Sequence, residues 1–246
     1  MTKPNQHIVI FTGAGISAES GLQTFRDSDG LWEEFSVEDV ATPAAWEKDP
    51  EKVLHFYNLR RQQVRVAQPN AAHLSLAKLE QHFQVSIITQ NIDDLHERAG
   101  STGILHLHGE IMKSRSNINE HELYNLGNKN IALGDCCEKG SQLRPHVVWF
   151  GEPVSEFEPA CKLAKQADLL IIIGTSLQVY PAALLVNKVT SGTPVILVSP
   201  DMDEVQNHIT WYQDTAVNKI PSLVNELIKT GIDSNHHKNK EPADDN

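Results

Sequence analysis

Gly13-Ala14-Gly15-Ile16-Ser17-Ala18-Glu19-Ser20-Gly21 follows the apolar run Ile8-Val9-Ile10-Phe11, so glycines arrive where a buried strand ends and a helix can begin. Glycine lets the backbone turn tightly and lets a ligand approach bare N–H groups, and a helix N-terminus behind it adds partial positive charge. Phosphates are commonly held at such turns. The spacing departs from the usual dinucleotide fingerprint, because Gly13-Ala14-Gly15 meets a third glycine only at Gly21. A glycine-rich turn can also be an ordinary turn, so the rest of the chain has to decide its meaning.

Working outward, three more apolar runs end in small or polar residues. Val85 to Thr89 ends in Gln90-Asn91-Ile92-Asp93, Leu169 to Ile173 in Gly174-Thr175-Ser176, and Val195 to Val198 in Ser199-Pro200. Between these runs lie amphipathic helices. One spans about Glu51 to Val66, with Val53, Tyr57, Arg60 and Val64 on one stripe. A second is capped by Asn70 and carries Leu74, Ala77 and Leu79 to Phe83, and another runs from about Glu156 to Lys165. Asp93 is expected to cap a short helix through His96, Pro181 to open a helix through Val189, and Pro221 to open the last helix, to Lys229. Short apolar strands alternating with helices predict an α/β fold, with a mainly parallel, Rossmann-like sheet and helices on both faces. In such a sheet ligands bind outside the carboxyl ends of the strands, so the four strand ends are expected to converge on one crevice. Turn chemistry alone would also place Gly, Ser, Thr and Asn there.

The remaining stretches read as loops and insertions. Ser20 to Phe35 lacks helical or strand period and is expected to form a lid or binding loop. Residues 36–68 read as a helical insertion, and the polar stretch at about 110–145 as a small inserted module. Residues 1–230 are then expected to form one domain, and 231–246 a polar tail expected to be disordered.

At 246 residues and 40% hydrophobic content, the chain can bury a full core. Lys and Arg number 21 against 32 acidic residues, and a net charge of −11 argues against a nucleic-acid footprint. No apolar run approaches the ~18 residues that span a bilayer, so no membrane partner is expected. Three cysteines make no disulfide framework, and the expected location is the cytoplasm.

Proton chemistry points to a histidine. Ile104 to Gly109 alternates apolar and polar residues, so an extended backbone would put His106 and His108 on one face, and the residues alone do not choose between them. Arg60 on its apolar stripe needs an anionic partner, either an internal carboxylate or, with Tyr57 beside it, a bound one. An ordinary nicotinamide dehydrogenase would carry an acidic residue at the end of its second strand, ~20 residues past the glycines. A loop occupies that region here, which weakens a hydride-transfer reading.

Taken together, Gly13 to Ser17 with Phe25-Arg26, Gln90 to Asp93, Leu107-His108-Gly109 and Gly174-Thr175-Ser176 resemble the sirtuin family of NAD-dependent protein deacylases over residues 7–230. Phe56 to Arg61, Asn70 to His73 and Arg144 to Glu152 resemble its bacterial class III branch. The resemblance implies that an acyl-lysine oxygen attacks the ribose carbon bearing nicotinamide and that the acyl group passes to ADP-ribose. NAD is consumed and no catalytic metal is needed. His108 is implied as general base, with Asn91 also catalytic. The implied NAD site comprises Gly13, Ala14, Gly15, Ile16, Ser17, Ala18, Gly21, Phe25, Arg26, Trp32, Gln90, Asn91, Ile92, Asp93, Gly174, Thr175, Ser176, Ser199 and Ala216. Substrate contacts are implied at Tyr57, Arg60, Val148, Phe150 and Gly151. The Val148 to Gly151 strand would pair with the peptide, and the Tyr-x-x-Arg pair is associated with succinyl and malonyl groups. Two departures stand out. Most family members hold a structural zinc on two Cys-x-x-Cys pairs, but here only adjacent Cys136 and Cys137 are available, so a metal-free module packed around Ile111, Ile118, Leu123, Tyr124 and Leu126 is expected. Ser199 stands where the family often has asparagine. Mono-ADP-ribosyl transfer and non-enzymatic NAD sensing are the competing readings.

Overall fold

The computed structural model describes residues 6–22, 34–202 and 204–232. Its centre is a six-stranded, wholly parallel sheet in the order β3-β2-β1-β7-β8-β9. The strands are β1 (His7–Thr12), β2 (Gln84–Thr89), β3 (Ile104–His106), β7 (Leu169–Ile173), β8 (Val195–Val198) and β9 (Ile209–Tyr212). Alternation along a strand sends successive side chains to opposite faces, and both faces are apolar, as a doubly covered parallel sheet requires. Ile8, Ile10, Ile171 and Ile196 pack under α5 (Ala71–Leu79) and α8 (Ala216–Thr230). Val9, Phe11, Ile172 and Leu197 pack under α7 (Phe157–Lys165) and a 3-10 helix at Ala182–Lys188.

α1 (Gly15–Ala18) follows β1, and α6 (Leu95–Ala99) follows β2. The insertion contains α2 (Val37–Val40), α3 (Pro43–Lys48) and α4 (Pro50–Val66). Thr42 and Asp49 cap α3 and α4, whose first positions are prolines with no N–H to leave unsatisfied. The small module is an antiparallel sheet, order β5-β4-β6, made of β4 (Gly109–Ser116), β5 (Asn119–Asn125) and β6 (Leu143–Val147). It shares one core with the insertion, in which Val53, Phe56 and Val64 meet Ile111, Leu126, Ile131 and Trp149.

Several expectations are corrected. Leu123 is exposed because β5 is an edge strand with one face to solvent, and Ile118 is exposed in the turn between β4 and β5, while Ile131 joins the core instead. Leu74 also points outward, and Ala72, Leu76 and Leu79 form the buried face of α5. Asp94, not Asp93, is the N-cap of α6, although Asp93 Oδ1 does accept from Leu95 N at 3.1 Å. The helix behind Pro181 is 3-10 rather than α. Thr215 caps α8 at Ala216, which leaves Pro221 inside the helix rather than at its start. The Val148 to Gly151 strand lies earlier, at Leu143–Val147. Among the described residues no helix is long and apolar enough to cross a membrane.

Candidate active site

A cavity of about 930 Å³ opens at the carboxyl ends of the strands, above the reversal of strand order between β1 and β7. All four predicted strand ends contribute. The sheet side is lined by Ala14, Gly15, Ser17 and Ala18, then by Gly174, Thr175 and Ser176, Ser199, and Ala216 at the start of α8. Gln90, Asn91, Ile92, Asp93 and His108 also line it, and the insertion side adds Tyr57, Arg60, Val148, Phe150 and Gly151. Three implied residues do not reach the cavity: Gly13 lies beneath Gly174 and Thr175, Ile16 is fully buried in the core, and Gly21 sits in the turn after α1. Phe25, Arg26, Trp32 and most of the expected lid lie outside the described residues.

The glycines serve a different need from the one first read. α1 is a single turn, and the Gly13 and Gly15 amides donate to the Ile173 and Gly174 carbonyls at 3.0 and 2.8 Å rather than standing bare. Glycine is required because two loops touch here. A Cβ on Gly15 would lie 2.7 Å from Gly174 Cα, and one on Gly13 would lie 2.7 Å from Thr175 Cβ. The contact ties β1 to β7 and shapes the cavity floor. Thr175 Oγ1 donates to Gln90 Oε1 at 2.8 Å, linking that floor to the end of β2.

Beyond β2 the polar groups form a directed chain. Asn91 Nδ2 donates to Ser17 Oγ at 3.1 Å, and Ser17 Oγ donates to Asp93 Oδ2 at 3.1 Å. Burial pushes the Asp93 carboxyl up, opposed by the hydrogen bonds from Leu95 and Ser17. These contacts fix the orientation of the Asn91 amide at the cavity wall.

The two histidines separate. β3 ends at His106, the chain turns, and the extended backbone expected through Gly109 is absent. His106 accordingly does not line the cavity: its Nδ1 meets Asn91 O at 2.9 Å and its Nε2 pairs with Glu97 at 2.8 Å. His108 does line it, with Nδ1 3.0 Å from Gln90 O. A carbonyl can only accept, so Nδ1 carries the proton and Nε2 keeps a lone pair. Burial lowers the His108 pKa, against the hydrogen bond to Gln90, so the ring is neutral at pH 7. A neutral imidazole on the wall of this cavity is a competent general base.

On the insertion side, Tyr57 is buried, and its hydroxyl oxygen accepts from Trp149 Nε1 at 3.1 Å. Burial pushes the Tyr57 pKa up, so the phenol stays neutral. Arg60 lies one helical turn on. Burial lowers its pKa, while Tyr57 and Asp93 act electrostatically to raise it.

A Sir2 family model matches residues 13–181. A Helicobacter pylori (strain ATCC 700392 / 26695) relative named NAD-dependent protein deacylase is 50% identical over 226 residues, covering 91% of this chain and 98% of its own. The chain belongs to the Sir2 family. A Bacteroides thetaiotaomicron relative of the same name is 50% identical over 200 residues, covering 79% of this chain and 86% of its own. The crystal structure of a Sir2 homolog–NAD complex superposes with a TM-score of 0.81 at 39% identity, covering 91% of this chain and 90% of that one.

In this Sir2 chain the small module does not offer a four-thiolate metal site. Cys136 is exposed and pairs with Gln142 across an isolated bridge, while buried Cys137 accepts a hydrogen bond from Ser116 Oγ at 3.4 Å. Among the described residues no thiol joins a cluster of three metal-ligating groups. Sequence reading gives no role to the side chains of two cavity residues at the module edge, Trp149 and Glu152, although both sit in a quoted motif. The available signal was chemical: an indole N–H and a carboxylate inside an apolar run both need partners when buried.

Proposed function

We propose that this Sir2 protein is a protein-lysine deacylase that removes acidic acyl groups, succinyl and malonyl, as well as acetyl. The family membership and the deacylase relatives make it an NAD-dependent protein deacylase. The acyl preference rests on one observation: Tyr57 and Arg60 line the same cavity as His108, so a half-buried cation and a neutral phenol stand where an acyl chain would lie. A carboxylate there gains charge-assisted hydrogen bonds that an acetyl methyl cannot.

The residues divide the work. NAD, as cosubstrate, supplies the ribosyl carbon to which the acyl oxygen becomes joined as nicotinamide leaves. Gly15, Ser17, Gly174, Thr175, Ser199 and Ala216 would hold its diphosphate and adenosine side, and the fixed Asn91 amide with Asp93 its nicotinamide side. His108 Nε2 takes a ribose hydroxyl proton. The substrate's acyl-lysine enters beside Val148, Phe150 and Gly151. Peptide pairing there is narrower than a full strand, because the Val148 and Phe150 amides already donate to His108 O and Ala41 O. A module without zinc belongs to the same proposal, with Cys137 packed against Ser116.

Arg60→Met tests the preference. It is expected to lower kcat/KM for a succinyl-lysine peptide at least roughly tenfold more than for the acetyl peptide, the scale of one lost hydrogen bond to a charged group. Equal losses on the two peptides would remove the assignment.

A further inference from the structure

Trp149 is the one donor that reaches the Tyr57 hydroxyl among the hydrogen bonds of the described residues, and it is unusually well held. Its backbone N–H donates to Glu152 Oε2 at 2.8 Å. The Arg144 guanidinium lies 3.3 Å from the centroid of its ring, and the Trp46 ring packs at 5.7 Å. Arg144 in turn donates to both Glu152 oxygens, at 2.8 and 3.0 Å, and to Val147 O at 3.0 Å. Arg115 Nη2 adds contacts of 3.2 Å to both Glu152 oxygens. One carboxylate thus fixes the backbone of Trp149 and, through Arg144, the face of its ring.

The consequence lies in the hydroxyl's proton. An indole N–H can only donate, so it occupies a lone pair of Tyr57 Oη and the phenolic proton must go elsewhere. No described protein group accepts it in a hydrogen bond, and Tyr57 faces the cavity beside Arg60. We infer that Trp149, held by Glu152 and Arg144, is a specificity-determining positioning residue that turns the Tyr57 O–H toward the cavity as a donor for acyl chains ending in a hydrogen-bond acceptor. The inference rests on the acidic-acyl reading above. An acetyl group has no acceptor beyond its reacting carbonyl and gains nothing from this arrangement. The contact is with the non-reacting end of the acyl chain, so it stabilises ground and transition states alike and acts on KM rather than on kcat.

A double-mutant cycle tests this with succinyl- and acetyl-lysine peptides. Trp149→Phe is expected to lower the succinyl-to-acetyl ratio of kcat/KM roughly tenfold, about one hydrogen bond's worth, through KM. In a Tyr57→Phe background the same substitution is expected to leave the ratio where Tyr57→Phe alone puts it, because the hydroxyl it orients is gone. A ratio that does not move, or moves by the same factor in both backgrounds, overturns the inference. Glu152→Gln, which keeps the side chain's shape, runs the same cycle if Trp149→Phe does not fold, with the same outcomes deciding. Arg60→Met measured alongside separates the two claims. A selective succinyl loss there with an additive Trp149 cycle removes only the role of Trp149, whereas equal acetyl and succinyl losses remove the acidic-acyl reading itself.

Discussion

At the scale of single residues, His108 and His106 show how one turn of backbone assigns chemistry. Their sequence alternation is the same, but Gly109 takes φ +80°, and the turn before it sends His108 to the cavity while His106 pairs with Glu97. Their pKa values then move apart: burial lowers that of His108, while His106 is raised because its bonds to Glu97 and Asn91 outweigh its desolvation. A base works only when unprotonated. With its pKa below the ordinary 6.5, His108 as the proposed base should give kcat/KM an acid limb whose midpoint lies below pH 6.5. A pH profile of kcat/KM measures this, and a limb centred above pH 6.5 would contradict it. His108 could be shortlisted from sequence because an imidazole beside glycine is a readable feature. Choosing it over His106 required the turn, which no periodicity announces.

At the scale of elements, the first loop packs tightly against the end of β7. Gly174 has φ +60°, and a Cβ there would stand 2.4 Å from Ile16 N and 2.6 Å from Gly15 C, both backbone atoms that cannot swing away. Gly21 has φ +85° with no described residue within 4 Å of its added Cβ, so among the described residues it meets backbone strain alone. Gly21→Ala should therefore cost only the left-handed penalty of about 1–2 kcal/mol, and Gly174→Ala distinctly more. Urea midpoints of the two variants decide the point; equal losses would mean that the loop contact is not rigid. The core strands were readable because strands covered on both faces are nearly continuous apolar runs. β9 was missed because Ile209–Tyr212 is a half-buried edge strand with no such run. α3 does not stand out in the sequence because Pro43 looks like a break and is in fact the first position of a helix. The same preference misled in the other direction at Pro221, where a proline inside α8 was taken for its start. The module's strands were hidden by polar edge residues, and its fold depends on a core shared with the distant insertion.

At the scale of the whole molecule, the cavity lies between a parallel sheet that supplies glycine turns and oriented amides, an insertion that supplies Tyr57 and Arg60, and the module edge that supplies Trp149. In the proposed function the sheet side serves NAD and the insertion and module edge serve the acyl chain, with His108 lining the cavity they share. The account therefore requires NAD cleavage and acyl removal to be coupled one for one. Incubating the protein with NAD and a succinyl-lysine peptide, with His108→Tyr as the control, and weighing the products tests this most directly. The expected products are free lysine peptide, nicotinamide and O-succinyl-ADP-ribose in equal amounts, all lost in the His108→Tyr protein. ADP-ribose appearing on protein while the succinyl group stays on the peptide, or no NAD consumption at all, would contradict it.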